Sequence, residues 1–213
     1  MSDQIKWLFF DVGSTLVDES RANEHRILDA IEGTDISYEQ AYAQAVQLAK
    51  QNIAHPLKCL GLPLTPWHSE DEVLYSQAAE CLAGLHGRYR IGIIANQSPG
   101  TAERMKAYGI SQYLDLIVAS AEEGLEKPDL RIFELALRRA GCRPENAVMI
   151  GDRLDNDILP AKRAGMKTIW VRQGFGGMAV PSNEEETPDS CVRDLGELLE
   201  LLAGQGGCWS QEE

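Results

Sequence analysis

From Ile5 to Phe10 the chain is almost unbroken apolar sequence (Ile5-Lys6-Trp7-Leu8-Phe9-Phe10), the pattern of a strand buried on both faces. Asp11 ends the run, and Gly13, Ser14 and Thr15 follow with turn composition. From Ser20 to Leu85 apolar residues recur instead at helical spacing. Ala22, Ile27, Ala30 and Ile31 predict a first helix. Ser37, with Gln40 three residues on, has the form of a capping box and leads into a second helix through Val46, Ala49 and Lys50. Pro56, Pro63 and Pro66 exclude regular helix between His55 and Trp67. Ser69-Glu70-Asp71-Glu72 predicts the start of a third helix, acidic in its first turn, running through Leu74, Ala78, Cys81 and Leu82.

Beyond this helical stretch, strand and helix patterns alternate. Strands are predicted at Tyr89–Asn96, Leu116–Ala119, Ala147–Asp152 and Thr168–Val171. Between them lie helices at Thr101–Tyr108, Asp129–Ala140 and Asp155–Ala164, each closed by a glycine, Gly109, Gly141 or Gly165. Such alternation predicts an α/β fold, a Rossmann-like parallel sheet with right-handed crossovers and helices on both faces. Residues 1–16 and 88–203 would form this core, residues 17–87 a helical insertion, and 204–213 a frayed, flexible tail. The stretch Gln173–Asp189 is Gly-rich, then acidic, and reads as a loop; Leu195–Leu202 is the last helix. No internal repeat is present.

Charge narrows the partners. The 213 residues carry 33 acidic against 20 basic side chains, a formal net charge of −13. That argues against sequence-independent nucleic-acid or anionic-membrane binding, both of which need a basic surface. A small anionic ligand is not excluded, because a local cation can invert the field inside a cleft. The five cysteines (Cys59, Cys81, Cys142, Cys191, Cys208) are widely spaced and form no C-x-x-C pair, as in a reduced, cytoplasmic protein. No basic-then-apolar leader opens the chain, and no apolar run approaches a membrane span. A soluble cytoplasmic protein is expected; oligomeric state is not legible.

Polar residues stand at or near the strand ends: Asp11, Asn96 and Asp152, with Lys127 in a loop before a helix. Carboxyl ends of parallel strands meet along one edge, so these groups should converge. Alone, Asp11 fits a turn or helix cap equally well, and Lys127 a solvated loop. Taken in order, Asp11-Val12-Gly13-Ser14-Thr15-Leu16, the strand ending at Asn96, Lys127-Pro128, and Gly151-Asp152 through Asp157 resemble the four motifs of the haloacid dehalogenase (HAD) superfamily. The insertion resembles the small helical cap of its first subclass. The resemblance implies a HAD core with a helical cap domain at residues 17–87, and a phosphatase acting on a small phosphorylated substrate. It implies Asp11 as the nucleophile that forms an aspartyl-phosphate. Mg2+ would be held by Asp11, the main-chain carbonyl of Gly13 and Asp152, with Asp157 binding directly or through water. Lys127 and the Asn96 amide would hold phosphate oxygens, and the cap would select the leaving group.

Two positions depart from the family pattern. Phosphatases of this family usually carry a second Asp two residues after the nucleophile, which protonates the leaving oxygen and later activates water. Here that position is Gly13. General acid–base catalysis contributes about 10² to 10⁴ in rate. Ala95 stands near the usual Ser or Thr at the end of its strand, with Ser98 a displaced substitute. Asp18, Glu19 and His25 are the groups at the start of the insertion that could supply an acid. A phosphatase-like hydrolase ranks first, a catalytically weak phosphoryl-ligand sensor or interaction protein second, and a dehalogenase third. Dehalogenases of the family do not need Mg2+ and lack the Gly151-Asp152…Asp157 arrangement. Gly13→Asp is expected to restore alkyl phosphate turnover if the backbone angles at residue 13 admit a side chain. Gly174-Phe175-Gly176-Gly177 follows the last predicted strand without opening a helix and is no dinucleotide fingerprint. His25, His55, His68 and His86 share no ligand spacing and read as separate surface histidines.

Overall fold

The computed structural model describes residues 4–53, 56–63 and 65–204. His55, Cys208 and the tail from residue 205 onward lie outside the described residues. In chain order the elements are β1 (Trp7–Phe10), β2 (Val17–Asp18), α1 (Ser20–Ile31), α2 (Tyr38–Lys50), β3 (Val73–Leu74), α3 (Ala78–Leu85), β4 (Arg90–Ala95) and α4 (Thr101–Ala107). There follow β5 (Leu116–Ala119), α5 (Ser120–Glu123), α6 (Leu130–Ala140), β6 (Ala147–Gly151), α7 (Leu159–Arg163), β7 (Lys167–Val171), β8 (Ser190–Val192) and α8 (Leu195–Gly204). The main sheet has six strands in the order β5-β4-β1-β6-β7-β8, every pair parallel. Successive crossovers run outward from β1 through β4 to β5, then return to β6 and run the other way. The direction therefore reverses between β1 and β6, which is where open α/β sheets place a ligand cleft.

Burial on both faces explains the unbroken apolar runs. Leu8 and Phe10 pack with Ile91, Ile93 and Ile150 on one face; Phe9, Ile94 and Met149 pack on the other against Ile132, Phe133 and Ala136 of α6. Successive residues thus feed opposite layers, as the two-residue period of a strand requires.

The insertion departs from its expected layout. Ser69–Asp71 makes a single 3-10 turn, and Val73–Leu74 then pairs antiparallel with Val17–Asp18. The Tyr75 N–H donates to the Leu16 carbonyl at 3.0 Å, so the third helix opens only at Ala78. Backbone groups of residues 73–75 are spent on the ribbon and cannot enter a helix. Moreover, Ala78, Cys81, Leu82 and Leu85 of α3 join the core cluster with Leu195, Leu198 and Leu202 of α8. The helix expected at 69–82 is a core helix, not a cap helix. A direct check is Leu82→Ala, which removes a side chain with no exposed surface. It should lower unfolding free energy by about 2–5 kcal/mol in urea titration; a loss below about 1 kcal/mol, typical of surface positions, would return α3 to a peripheral role.

β8 was not visible as a strand pattern. Its three residues sit at the sheet edge, and the Arg172 N–H donates to the Val192 carbonyl at 2.9 Å. No described helix is long and apolar enough to cross a membrane.

Candidate active site

Asp11 lies one residue past β1, and its N–H donates to the Ile150 carbonyl of β6 at 2.9 Å, so it stands at the point where crossover direction reverses. Asp152 follows β6. The next residues make a wide turn over Leu154–Ile158 before α7, in which the Asp157 N–H returns to the Arg153 carbonyl at 3.0 Å. That turn points Asp157 back under the strand end. Its carboxylate accepts from the Arg153 N–H at 3.0 Å and lies so close to Gly151 that a Cβ there would stand 2.6 Å from Asp157 Cβ. Glycine at 151 is thus a packing requirement for Asp157.

Lys127 Nζ donates to Asp11 Oδ1 at 2.7 Å and to Asp157 Oδ1 at 2.5 Å, all three side chains being nearly or wholly buried. Asn96, at the end of β4, does not point its amide carbonyl outward. Its Oδ1 accepts from the Lys127 N–H at 2.7 Å and its Nδ2 donates to the Lys127 carbonyl at 2.8 Å. The side chain expected to hold phosphate clamps the lysine main chain on both sides. Gly13, Asp11, Asn96, Lys127 and Asp152 all border one cavity of about 660 Å³; Asp157 sits beneath it.

Ligand oxygens of Asp11, Asp152 and Asp157 lie within 4.8 Å of one another. Among the described residues no hydrogen bond reaches Asp11 Oδ2 or Asp152 Oδ2; Thr15 Oγ1 donates to the other Asp152 oxygen only at 3.4 Å. Burial, reinforced by Asp157 and Asp11, holds the Asp152 carboxyl well above its ordinary range. Asp157 is likewise pushed up to about 6: burial and Asp11 outweigh the Lys127 ammonium that opposes them. Burial works against the Lys127 charge too, yet Asp11 and Asp157 hold it above the ordinary lysine value. One ammonium therefore faces three clustered carboxylates, and the deficit of positive charge is what a divalent cation would fill.

The loop after Asp11 turns back tightly, with the Val17 N–H on the Val12 carbonyl at 2.9 Å and a bridge from Gly13 to Val17. Gly13 is not in the left-handed region, so its backbone would accept a side chain. The obstacle is Glu19: a Cβ on residue 13 would overlap its Oε1 and stand 2.9 Å from its Cδ. Ser14 does adopt a left-handed φ of 55°, uncommon outside glycine, and its hydroxyl donates to Glu19 Oε2 at 2.9 Å. Burial pushes the Glu19 carboxyl up to about 7, Ser14 opposing and Asp11 adding to the rise.

Of the three acid candidates at the start of the insertion, only Glu19 borders the cavity. Asp18 caps the Ser20 N–H at 2.9 Å, and His25 pairs through Nδ1 with Asp71 at 2.6 Å. His25 also meets His68 edge-on with ring centroids 5.1 Å apart, so these two histidines, expected to be separate, share one cluster. Ser98 borders the cavity, but through its carbonyl it accepts from Arg104 at 2.8 Å. Two supporting contacts had no sequence signal. Trp170 Nε1 donates to the Asp152 carbonyl at 2.6 Å, and Gln173 Nε2 to the carbonyls of Ser14 and Thr15 at 3.2 and 3.1 Å. Asn23, Arg26 and Trp67 of the insertion border the same cavity as Asp11, and the Tyr42 ring of α2 lies 5.8 Å from the Phe175 ring of the loop after β7.

The fold and this edge of strand-end carboxylates and lysine define the class. The profile of haloacid dehalogenase-like hydrolases matches residues 5–165, and the chain belongs to that family. It is a hydrolase. A glyceraldehyde 3-phosphate phosphatase of Pyrococcus furiosus is 31% identical to it, the match spanning 96% of this chain and 95% of the relative. Among solved structures, a HAD phosphatase from Thermococcus onnurineus superposes with a TM-score of 0.64 at 24% identity, over 94% of this chain and 99% of that one. A 2-haloacid dehalogenase from Pseudomonas syringae gives 0.63 at 21% identity with the same coverage. The fold alone therefore does not separate phosphatase from dehalogenase chemistry.

Proposed function

We propose that the chain is a Mg2+-dependent phosphatase of small phosphorylated metabolites that works through an aspartyl-phosphate on Asp11. The observation that carries this reading is the excess of buried carboxylate at Asp11, Asp152 and Asp157 around a single lysine. A dehalogenase nucleophile needs no such excess, whereas two anions meeting at phosphorus do. The hard oxygen set fits Mg2+, with Asp11, Asp152 and the Gly13 carbonyl as holders and Asp157 next to them, directly or through water. When bound, the ion would neutralise the contact between the Asp11 carboxylate and the substrate phosphate.

The chain's own groups do the rest in this reading. Asp11 attacks phosphorus and displaces the alcohol oxygen; water then attacks the aspartyl-phosphate and frees inorganic phosphate. Lys127 spreads the charge that develops on the phosphoryl oxygens. Asn96, bonded to both main-chain groups of Lys127, fixes where that ammonium sits and so acts as a positioning residue. Residues 19–72, between the two strands of the ribbon, would serve as the lid that excludes water and selects the leaving group. Reduced thiols at Cys81, Cys142 and Cys191, none in a disulfide, suit a cytoplasmic setting.

The test is phosphate release from p-nitrophenyl phosphate and a panel of alkyl phosphates, with Mg2+ and with EDTA. Turnover that rises well above background only with Mg2+ is expected. Thermal stabilisation by phosphate esters without turnover on any of them would favour the sensor reading instead.

A further inference from the structure

The pattern that makes this chain unusual is a vacancy: the position expected to carry an acid–base carboxyl is Gly13. The space is nevertheless filled by a carboxyl. Glu19 reaches back from the start of α1, and its Oε1 occupies the volume in which a residue 13 Cβ would begin. Three local features hold it there. The loop from Val12 to Val17 closes on itself through paired backbone bonds, returning residues 17–19 to the strand end. The ribbon of β2 with β3 fixes the residues just before Glu19. Ser14, kept in a left-handed conformation, gives its hydroxyl to Glu19 Oε2 and leaves Oε1 without a hydrogen bond among the described residues. The carboxyl borders the same cavity as Asp11 and Lys127. In this position the Glu19 carboxyl leaves no room for a Cβ at position 13, so a side chain there would have to displace it.

We propose that Glu19 is the acid–base catalyst of this hydrolase, replacing from within the insertion the carboxyl that residue 13 lacks. The proposal rests on the phosphatase reading above. In the first step an Asp11 oxygen forms a bond to phosphorus, the bond from phosphorus to the ester oxygen breaks, and the Glu19 carboxyl gives its proton to that oxygen, releasing an alcohol. In the second, the Glu19 carboxylate takes a proton from water as the water oxygen bonds to phosphorus. The Asp11–phosphorus bond breaks, inorganic phosphate leaves, and both carboxyl groups return to their starting states. No reactant beyond ester and water is consumed.

Leaving groups separate this role from a structural one. A p-nitrophenolate departs without a proton, whereas an alkoxide does not. With Mg2+ present, Glu19→Gln should lower turnover of alkyl phosphates by about 10² to 10⁴. On p-nitrophenyl phosphate the same variant should release one equivalent of nitrophenolate in a burst and then slow, because water activation is lost. Acid-quenched intact-protein mass spectra should show the phosphorylated chain accumulating during that slow phase. The second variant is Glu19→Ala combined with Gly13→Asp, which clears the volume and returns a carboxyl to position 13; alkyl phosphate turnover should recover to within about tenfold of wild type, most of the general-acid contribution. Glu19→Gln with wild-type alkyl turnover, or with equal losses on both substrates and no burst, would overturn the assignment. So would failure of the double variant to exceed Glu19→Ala. If wild type hydrolyses neither substrate, the phosphatase reading falls and this proposal with it; if only the Glu19 arms fail, the phosphatase reading stands.

Discussion

Asp11→Asn is expected to lower Mg2+-dependent phosphate release by on the order of 10⁴- to 10⁶-fold, the scale on which losing a member of a nucleophilic constellation acts. At 1.36 kcal/mol per decade that is about 5 to 8 kcal/mol of transition-state stabilisation. The substitution preserves shape and removes only charge and nucleophilicity. Lys127 would keep its bond to Asp157, so the lysine stays anchored and the loss is chemical rather than architectural. The measurement is kcat for p-nitrophenyl phosphate with saturating Mg2+, alongside a urea titration. Loss of kcat with unchanged or higher stability is the expected pair. Substantial residual turnover, within about tenfold of wild type, would mean that Asp11 does not form the bond to phosphorus.

The second large effect runs in the opposite direction from function. Asp152→Asn should stabilise the metal-free protein at pH 8. Burial, with Asp157 and Asp11, raises the Asp152 carboxyl well above its ordinary value. A carboxyl raised on folding binds more protons in the native than in the unfolded state. Unfolding free energy therefore falls as pH rises from the ordinary carboxylate range to the raised value. Above the raised value the cost is fully present; below the ordinary range it vanishes. Asparagine removes the charge while keeping the shape. The gain should be on the order of 1 to 3 kcal/mol, a fraction of what an unpaired buried charge can cost. For a chain of this size each kcal/mol moves Tm by roughly 2–4 °C. The same variant should lose the stabilisation by Mg2+, which for wild type at a hundredfold excess over Kd is about 2.7 kcal/mol. Calorimetry in EDTA and in Mg2+, at pH 5 and 8, gives all four values. A variant less stable than wild type in EDTA at pH 8 would show that Asp152 is not electrostatically strained.

These two effects trade against each other because the site concentrates like charge in a dry place, and function requires what stability disfavours. The apolar runs announced the sheet well: Leu8, Phe9 and Phe10 each belong to a buried layer, and the polar residue ending each run lands on one edge. Asp11 and Asp152 could be placed on this edge because the carboxyl ends of parallel strands meet there, whereas Lys127 and Asp157, which lie in or beyond loops, were singled out by the resemblance of their motifs. What failed to show in the sequence depends on tertiary pairing. Ser69–Glu72 looks like a helix start, yet Val73 and Leu74 are captured by Val17 and Asp18, and two-residue strands leave no periodicity to read. β8 was hidden for the same reason, being three residues long. Asn96 was identified as important, but its use, holding the Lys127 main chain from both sides, follows from a contact thirty-one residues away. Glu19 could be named as a candidate from its position; that it fills the space beside Gly13 depends on how residues 12–17 close, which no local propensity encodes.

The central claim, a phosphoryl group carried on Asp11, has one most direct measurement. The wild-type chain is mixed with Mg2+ and radiolabelled acetyl phosphate, quenched in acid, digested, and the labelled peptide sequenced. The account predicts a label released by hydroxylamine, on the peptide containing Asp11, present with Mg2+ and absent with EDTA or in Asp11→Asn. Turnover of the probe with no label on that peptide, or with the label retained in Asp11→Asn, would contradict it.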